Sequence, residues 1–207
     1  GIPVPPWFCV SAKMYQEYIR RVSEDIKNIL TELDFSNQQA VNQASSKIKS
    51  IICNLSLDPA DLSSIQKSVK TLGARWYAVR SSALAEDSGK DSFAGQLDTY
   101  LCVTAEDVEA RLKECWASGY GPRSLAYMNN RGINPSDSQV AVVVQTMLES
   151  SASGVMFTAN PTGSLDETVI VAGFGLGEGI VSDQVESDMY IHDRVSQKWH
   201  LAINPKK

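Results

Sequence analysis

Apolar residues recur at helical spacing through the first third of the chain. Between Ser11 and Leu30 they occupy one side of a predicted helix that Ser11 caps: Met14, Tyr15, Tyr18, Ile19, Val22 and Ile26. Residues 36–54 predict a second, more polar helix. Residues 57–72 predict a third, with Asp58 as its cap and Pro59 at its first position. We therefore expect a helical segment over residues 11–72.

The periodicity then changes to short apolar runs. "WYAVRSS" and "DTYLCV" predict two strands that flank a polar loop, so residues 74–103 form a strand–loop–strand unit. Residues 104–132 predict a helix pair that opens at Thr104-x-x-Asp107, close to a capping box, and closes at Gly132.

Residues 138–207 predict a strand-rich part, in which turn residues separate the apolar runs. These runs are "SQVAVVVQTML", "SGVMFTAN", "ETVIVAGFG", "SDMYIHDR" and "QKWHLAIN". Because the helices mostly precede the strands, we expect an α+β fold with a helical amino-terminal part and a mainly antiparallel sheet. We expect the strand Val155–Thr158, which ends at an Asn-Pro turn, to be buried.

Composition narrows the classes of function. The 207 residues carry a net charge of -5, which argues against a general nucleic-acid surface. No apolar run approaches the roughly 20 residues of a membrane span, and the first residues lack the basic region and long apolar run of a signal peptide, so we expect a cytoplasmic protein. The four cysteines form no CxxC pair, which predicts buried free thiols and no zinc site.

The loop between the first two predicted strands has the residues of an anion site. Arg80 offers a fork of donors suited to phosphate oxygens, and Gly89 and Gly95 allow backbone N–H groups to converge on an anion. Hydroxyl donors surround them: Ser81, Ser82, Ser88 and Ser92. The alternative is an exposed hairpin loop in which Arg80 pairs with Glu86 or Asp87.

Two further segments could either bind a ligand or have a purely structural role. Gln145 is an amide within the apolar strand "VAVVVQTML", so its partner is either a backbone group or a ligand such as an adenine edge. The glycine-rich segment 173–183, which contains Glu178, suits either a ligand or tight strand-to-helix packing, and its spacing is not G-x-G-x-x-G. His192 and His200 have no matching acid or cysteine, so we expect neither to be catalytic.

Several of these strings, in order along the chain, resemble one family. They are "GIPVPPWFCV", "VRSSALAEDSGKDSFAGQLDTYL", "CWASGYGPRSLAY", "VAVVVQTML", "SGVMFTANP" and "GFGLGEGIVSDQVESDMY". They are similar to the amino-terminal ATP-binding domain of phosphoenolpyruvate synthase, which pyruvate phosphate dikinase and rifampin phosphotransferase share. The resemblance covers most of the chain and is weakest over residues 23–70, so we expect residues 1–207 to form part of such a domain.

The resemblance implies an ATP-grasp fold, in which two subdomains enclose the nucleotide. It implies that Arg80 contacts the phosphates of ATP, and that Gly95 and Thr99 line the triphosphate. It also implies that Gln145 lies beside the adenine, with Glu178 as a further ligand of the site.

The chain also departs from the family pattern. The family's Gly-Lys-Gly-type lysine would precede residue 1, and "SDQVESD" differs from the commoner "SG-V-PD". The residues that hold Mg²⁺, the second ATP-grasp subdomain and the phosphohistidine domain are expected outside this chain. We therefore expect ATP and the remaining domains of a longer polypeptide as partners, and no turnover by the chain alone.

Two alternatives remain open at this point. One is a non-catalytic nucleotide-binding or interaction module that senses ATP or pairs with a partner that supplies the other subdomain. The other is the ATP-binding part of an antibiotic-modifying phosphotransferase, since nothing in these residues identifies the acceptor.

Overall fold

The chain folds into two compact units, Gly1–Met147 and Leu148–Lys207. The computed structural model describes residues 3–83, 97–135, 138–182 and 185–203. Each unit contains a four-stranded sheet.

Six helices of the described residues belong to the first unit: α1 (Ala12–Arg20), α2 (Ser23–Thr31), α3 (Gln38–Cys53), α4 (Pro59–Leu72), α5 (Val108–Ser118) and α6 (Pro122–Arg131). One short helix belongs to the second: α7 (Gly177–Val181). None of these helices is both long and apolar enough to cross a membrane.

The strands of the first sheet are β1 (Trp7–Val10), β2 (Tyr77–Ala83), β3 (Thr99–Val103) and β4 (Val140–Thr146), in the order β1-β4-β2-β3. Those of the second are β5 (Ala152–Phe157), β6 (Glu167–Phe174), β7 (Ser187–Asp193) and β8 (Lys198–Ile203), in that order. Every strand pair among the described residues is antiparallel. The α+β class with antiparallel pairing is confirmed. The division into two sheets was not predicted.

The first predicted helix is two helices. Ser11 caps α1 as expected and accepts a hydrogen bond from the Met14 N–H at 3.4 Å, but α1 ends at Arg20. The Ser23 hydroxyl donates to the Arg20 carbonyl at 2.9 Å, which gives that carbonyl a partner outside the helical ladder. The Arg21 guanidinium binds both carboxylate oxygens of Asp58, at 3.0 and 2.6 Å. The helix therefore breaks where Arg21 reaches the start of α4.

Helices cover one face of the first sheet. Val140, Val142 and Val144 alternate along β4 with their side chains fully buried in the core that the helices complete. Trp116 of α5 lies in this core and stacks on the Tyr18 ring, with 5.6 Å between the ring centroids. This packing leaves the residues that alternate with the three valines on the other face of the sheet.

The second sheet exposes more apolar surface than its sequence predicts. The prediction of a buried β5 is wrong, because Met156 is 61% exposed and Phe157 44%. Met156 is in register with Ile170, Tyr190 and Leu201 across the four strands. The Asn-Pro turn after β5 does form: the Asn160 side-chain oxygen accepts from the Thr162 N–H at 3.0 Å.

All four cysteines are free, as predicted, but only Cys115 is buried. Cys9 and Cys102 are exposed, which contradicts the prediction for them. Cys9 alternates with Phe8 and Val10 of β1, which face the core, whereas Cys102 has a φ of +54° at the point where the pairing of β3 with β2 is irregular.

Candidate functional site

The face of the first sheet opposite the helices carries most of the described candidate residues. Strand register defines this open face by three rows of neighbouring side chains. The rows are Trp7–Gln145–Ala78, then Cys9–Val143–Arg80–Thr99, then Ala141–Ser82. The described helices of the first unit pack on the opposite face, over Val142 and Val144, and leave this face uncovered.

Arg80 and Thr99 lie side by side on the open face. They are directly opposed across β2 and β3, and both are exposed. Among the described residues the Arg80 guanidinium has no hydrogen bond and no ion pair. Glu86 and Asp87, its alternative partners, lie outside the described residues. Within the described part of the chain, both groups are available to an anion.

Gln145 lies one row away, near the end of β4. It is opposed to Trp7 on one side and to Ala78 on the other, and its side chain is half-buried. Its side-chain amide makes no hydrogen bond within the described residues, so the backbone partner that we considered is not observed there. The amide can therefore donate to and accept from a ligand on this face.

The glycines and serines predicted to form an anion site with Arg80 differ in where the structure places them. Gly89, Gly95, Ser88 and Ser92 lie outside the described residues. Ser81 has a structural role, because its hydroxyl donates to the Asp98 carbonyl at 2.6 Å and ties β2 to the start of β3. Ser82 belongs to the open face and is half-buried beside Ala141.

Glu178 lies in the second unit, exposed on α7. The structure supports the packing explanation for part of the glycine-rich segment around it. A Cβ at Gly173 would lie 2.9 Å from the Glu186 carbonyl oxygen, and Gly175 has a φ of +85°. Backbone geometry therefore accounts for these two glycines without a ligand.

The described residues bring no set of metal ligands together, and the buried thiol of Cys115 is not reactive. No group of three or more His, Cys, Asp or Glu side chains within the described residues is placed to hold a metal ion. Burial raises the pKa of the Cys115 thiol to about 12, so this residue is a neutral core group at physiological pH. His192 stacks on Trp199, with 4.5 Å between the ring centroids.

A separate pocket of about 340 Å³ lies among α3, α5 and α6. Its lining has charges of both signs, from Lys49, Arg123, Asp98 and Glu114. Glu114 is already paired with Arg111 at 2.6 Å. The mixture of charges does not select an anion, and the pocket contains none of the candidate residues.

Comparison with known proteins identifies the family. The model of the pyruvate phosphate dikinase AMP/ATP-binding domain matches residues 1–207. The chain belongs to this family. Two relatives extend the match: a probable phosphoenolpyruvate synthase of Archaeoglobus fulgidus, 42% identical, and the phosphoenolpyruvate synthase of Pyrococcus furiosus, 35% identical. Each alignment covers all of this chain, and 29% and 30% of the respective relative.

A relative with a different name shares the same domain. The prodigiosin synthesizing transferase PigC of Serratia marcescens is 38% identical over 95% of this chain, which spans 21% of PigC. The chain thus spans less than a third of each of these curated relatives. The resemblance found in the sequence is confirmed at the level of the family.

Sequence patterns did not single out Trp7 as a site residue. The residue is 54% exposed and directly opposed to Gln145. The alternation of Trp7 and Cys9 with Phe8 and Val10 was available as a signal. The pairing of β1 with β4, which places Trp7 beside Gln145, was not.

Proposed function

We propose that the chain binds ATP on the open face of its first sheet, as the nucleotide-binding part of a phosphotransferase of the phosphoenolpyruvate synthase type. One observation carries this proposal: Arg80, Thr99 and Gln145, from three different strands, share one face that the described helices leave uncovered. Membership of an AMP/ATP-binding domain family supports the same ligand.

The arrangement of the face suggests how the nucleotide lies on it. Arg80 neutralises phosphate charge and Thr99 adds a hydroxyl beside it, while Gln145 meets an edge of the adenine. Arg80 and Gln145 lie on adjacent strands and one row apart, so their Cα atoms are separated by roughly 8 Å, from the standard strand spacing and rise. This separation allows the base and the phosphates to be held at different points of one face.

We also propose that Gly95 lines the triphosphate, that Glu178 is a further ligand of ATP, and that the fold is of the ATP-grasp type. Mg²⁺ accompanies ATP in phosphoryl transfer and neutralises charge between its phosphates. No group of three or more His, Cys, Asp or Glu side chains in the described residues could hold this ion, and we propose that its ligands lie outside this chain.

In the complete protein, the β-phosphoryl group of ATP passes to a carrier histidine and then to an acceptor, while AMP is released and water takes the γ-phosphoryl group as inorganic phosphate. The greater length of the relatives is consistent with further domains that supply the histidine and the acceptor site. Pyruvate is the acceptor in the leading form of the proposal. PigC supports a second form, in which the same ATP-binding domain serves a different acceptor.

Calorimetric titration of ATP tests the assignment of Arg80. In the natural protein that contains this chain, Arg80→Ala should weaken ATP binding roughly ten- to hundred-fold, the loss expected for a hydrogen bond to a charged group. Arg20→Ala is the matched control, because Arg20 is also exposed but lies at the end of α1, a helix that packs against the covered face.

Three results would contradict the role of Arg80, the binding of ATP and the need for further domains, respectively. Equal ATP affinities for Arg80→Ala and the parent would remove Arg80 from the site. A folded parent that does not bind ATP would reject the function itself. Formation of AMP and phosphoenolpyruvate from MgATP and pyruvate by the 207-residue chain alone would contradict the dependence on further domains.

A further inference from the structure

We propose that Trp7 forms an aromatic platform on which the base of the nucleotide stacks; this inference rests on the proposed function. Two observations support it: the exposure of the indole and its position beside Gln145.

Packing within the first unit does not account for the position of Trp7. Phe8 and Val10, its neighbours in β1, pack in or against the hydrophobic core. Trp7 points to the opposite face and is 54% exposed. Tryptophan has the largest apolar side chain, and leaving half of it in water forgoes much of the stabilisation that burial provides. A flat ligand would restore that burial.

The neighbour of Trp7 defines what kind of ligand fits. Trp7 and Gln145 are directly opposed across β1 and β4, so their Cβ atoms lie roughly 5 Å apart. An amide recognises a ring edge that carries both a donor and an acceptor, and an indole recognises a ring face. The two side chains together suit a heteroaromatic base, with Gln145 at its edge and Trp7 on its face.

If Trp7 stacks on the base, its removal should affect a different part of the ligand than removal of a phosphate contact would. Trp7 should contribute to binding of the nucleoside part and not of the phosphates. Base stacking on an aromatic side chain predicts a loss of roughly five- to a hundred-fold in affinity on truncation to alanine. Phenylalanine keeps an aromatic face, so Trp7→Phe should retain most of the affinity.

The test compares three ligands on the natural protein: ATP, adenosine and inorganic tripolyphosphate, each titrated by calorimetry against the parent, Trp7→Ala and Trp7→Phe. We expect Trp7→Ala to weaken ATP and adenosine by similar factors, to leave tripolyphosphate unchanged, and to be rescued by Trp7→Phe. Far-ultraviolet circular dichroism establishes that each variant keeps its fold.

Each contrary result has a distinct meaning. If Trp7→Ala binds ATP as the parent does, the platform is rejected while the proposed function stands. If Trp7→Ala weakens tripolyphosphate as much as ATP, Trp7 supports the sheet and does not stack, which also rejects the inference. If the folded parent binds none of the three ligands, the proposed function fails and the inference fails with it.

Discussion

Arg80 and Thr99 are directly opposed on neighbouring strands of the first sheet, Arg80 within β2 and Thr99 at the start of β3. Because side chains at opposed positions share a face, a group that reaches the guanidinium also reaches the hydroxyl. The pair presents a fixed positive charge and a neutral hydrogen-bonding group to the same point above the sheet.

This pairing predicts a specific role for the Thr99 hydroxyl. Thr99→Val keeps the β-branched shape and removes the hydroxyl, so ATP affinity should fall roughly ten-fold, the value for one hydrogen bond to a charged phosphate. Thr99→Ser keeps the hydroxyl and should stay close to the parent. Calorimetry on the two variants measures the difference. Equal affinities for Thr99→Val and Thr99→Ser would show that the hydroxyl does not contact the ligand.

The thiol of Cys9 lies on the same face, so its protection from alkylation can report where ATP binds. Cys9 is exposed and lies in the row that contains Val143, Arg80 and Thr99. Partial burial raises the pKa of the Cys9 thiol, so alkylation by iodoacetamide is best followed at alkaline pH. Saturating ATP should slow the alkylation of Cys9, measured by mass spectrometry of its peptide.

Cys53 provides the reference for that measurement. It is half-buried on α3, which packs with α5 and α6, and its pKa is also raised by burial. Its rate should not depend on ATP. Equal slowing of Cys9 and Cys53 would indicate a general tightening of the protein, and unchanged rates for both would place the nucleotide elsewhere.

The sequence predicts the local parts of this site better than their assembly. The polar loop between two apolar runs predicts a hairpin, and a hairpin brings Arg80 and Thr99 together by its antiparallel geometry alone. The pairing of β1 and β4 joins residues on opposite sides of the helical segment. Periodicity reports which side of a strand is apolar and not which strand lies next to it, so the contact of Trp7 with Gln145 could not be predicted.

Two further differences have the same physical origin. The break between α1 and α2 coincides with the ion pair of Arg21 with Asp58, a distant residue at the start of α4, while the apolar period of residues 14–26 continues through it. Met156 has the composition of a buried strand position, yet it lies on a sheet face that the described residues leave exposed. Whether a strand residue is buried depends on what covers that face of the sheet, and the sequence of the strand does not show this.

Tyr77 connects β2 to the end of α4 through its hydroxyl. The hydroxyl accepts from the Ala74 N–H and donates to the Val69 carbonyl, both at 3.1 Å, and the side chain is 1% exposed. Tyr77→Phe leaves these buried groups with fewer partners and should reduce the free energy of unfolding by about 1–3 kcal/mol. Urea denaturation measures this change.

Tyr190→Phe is the matched control for that variant. Tyr190 is 36% exposed, and its hydroxyl has a single long hydrogen bond to Asp188 at 3.4 Å. Its loss should change the free energy of unfolding by less than about 0.5 kcal/mol. If the two variants unfolded at the same urea concentration, the Tyr77 hydrogen bonds would be no more stabilising than a surface contact.

The ion pair of Arg21 and Asp58 predicts how one region responds to acid. Hydrogen bonds from the Arg21 guanidinium hold the pKa of the Asp58 carboxyl below its ordinary value. A carboxyl with a lowered pKa in the folded protein contributes stability above its unfolded pKa of about 3.9, and that contribution disappears as the pH falls through the folded pKa.

Arg21→Gln should raise the pKa of Asp58 in a carboxyl NMR titration and reduce the loss of stability over this acidic range. Asp34 is the control, because its low pKa is caused by hydrogen bonds from Ser36 and should not change in the variant. A titration of Asp58 that is the same in both proteins would show that Arg21 does not set its pKa.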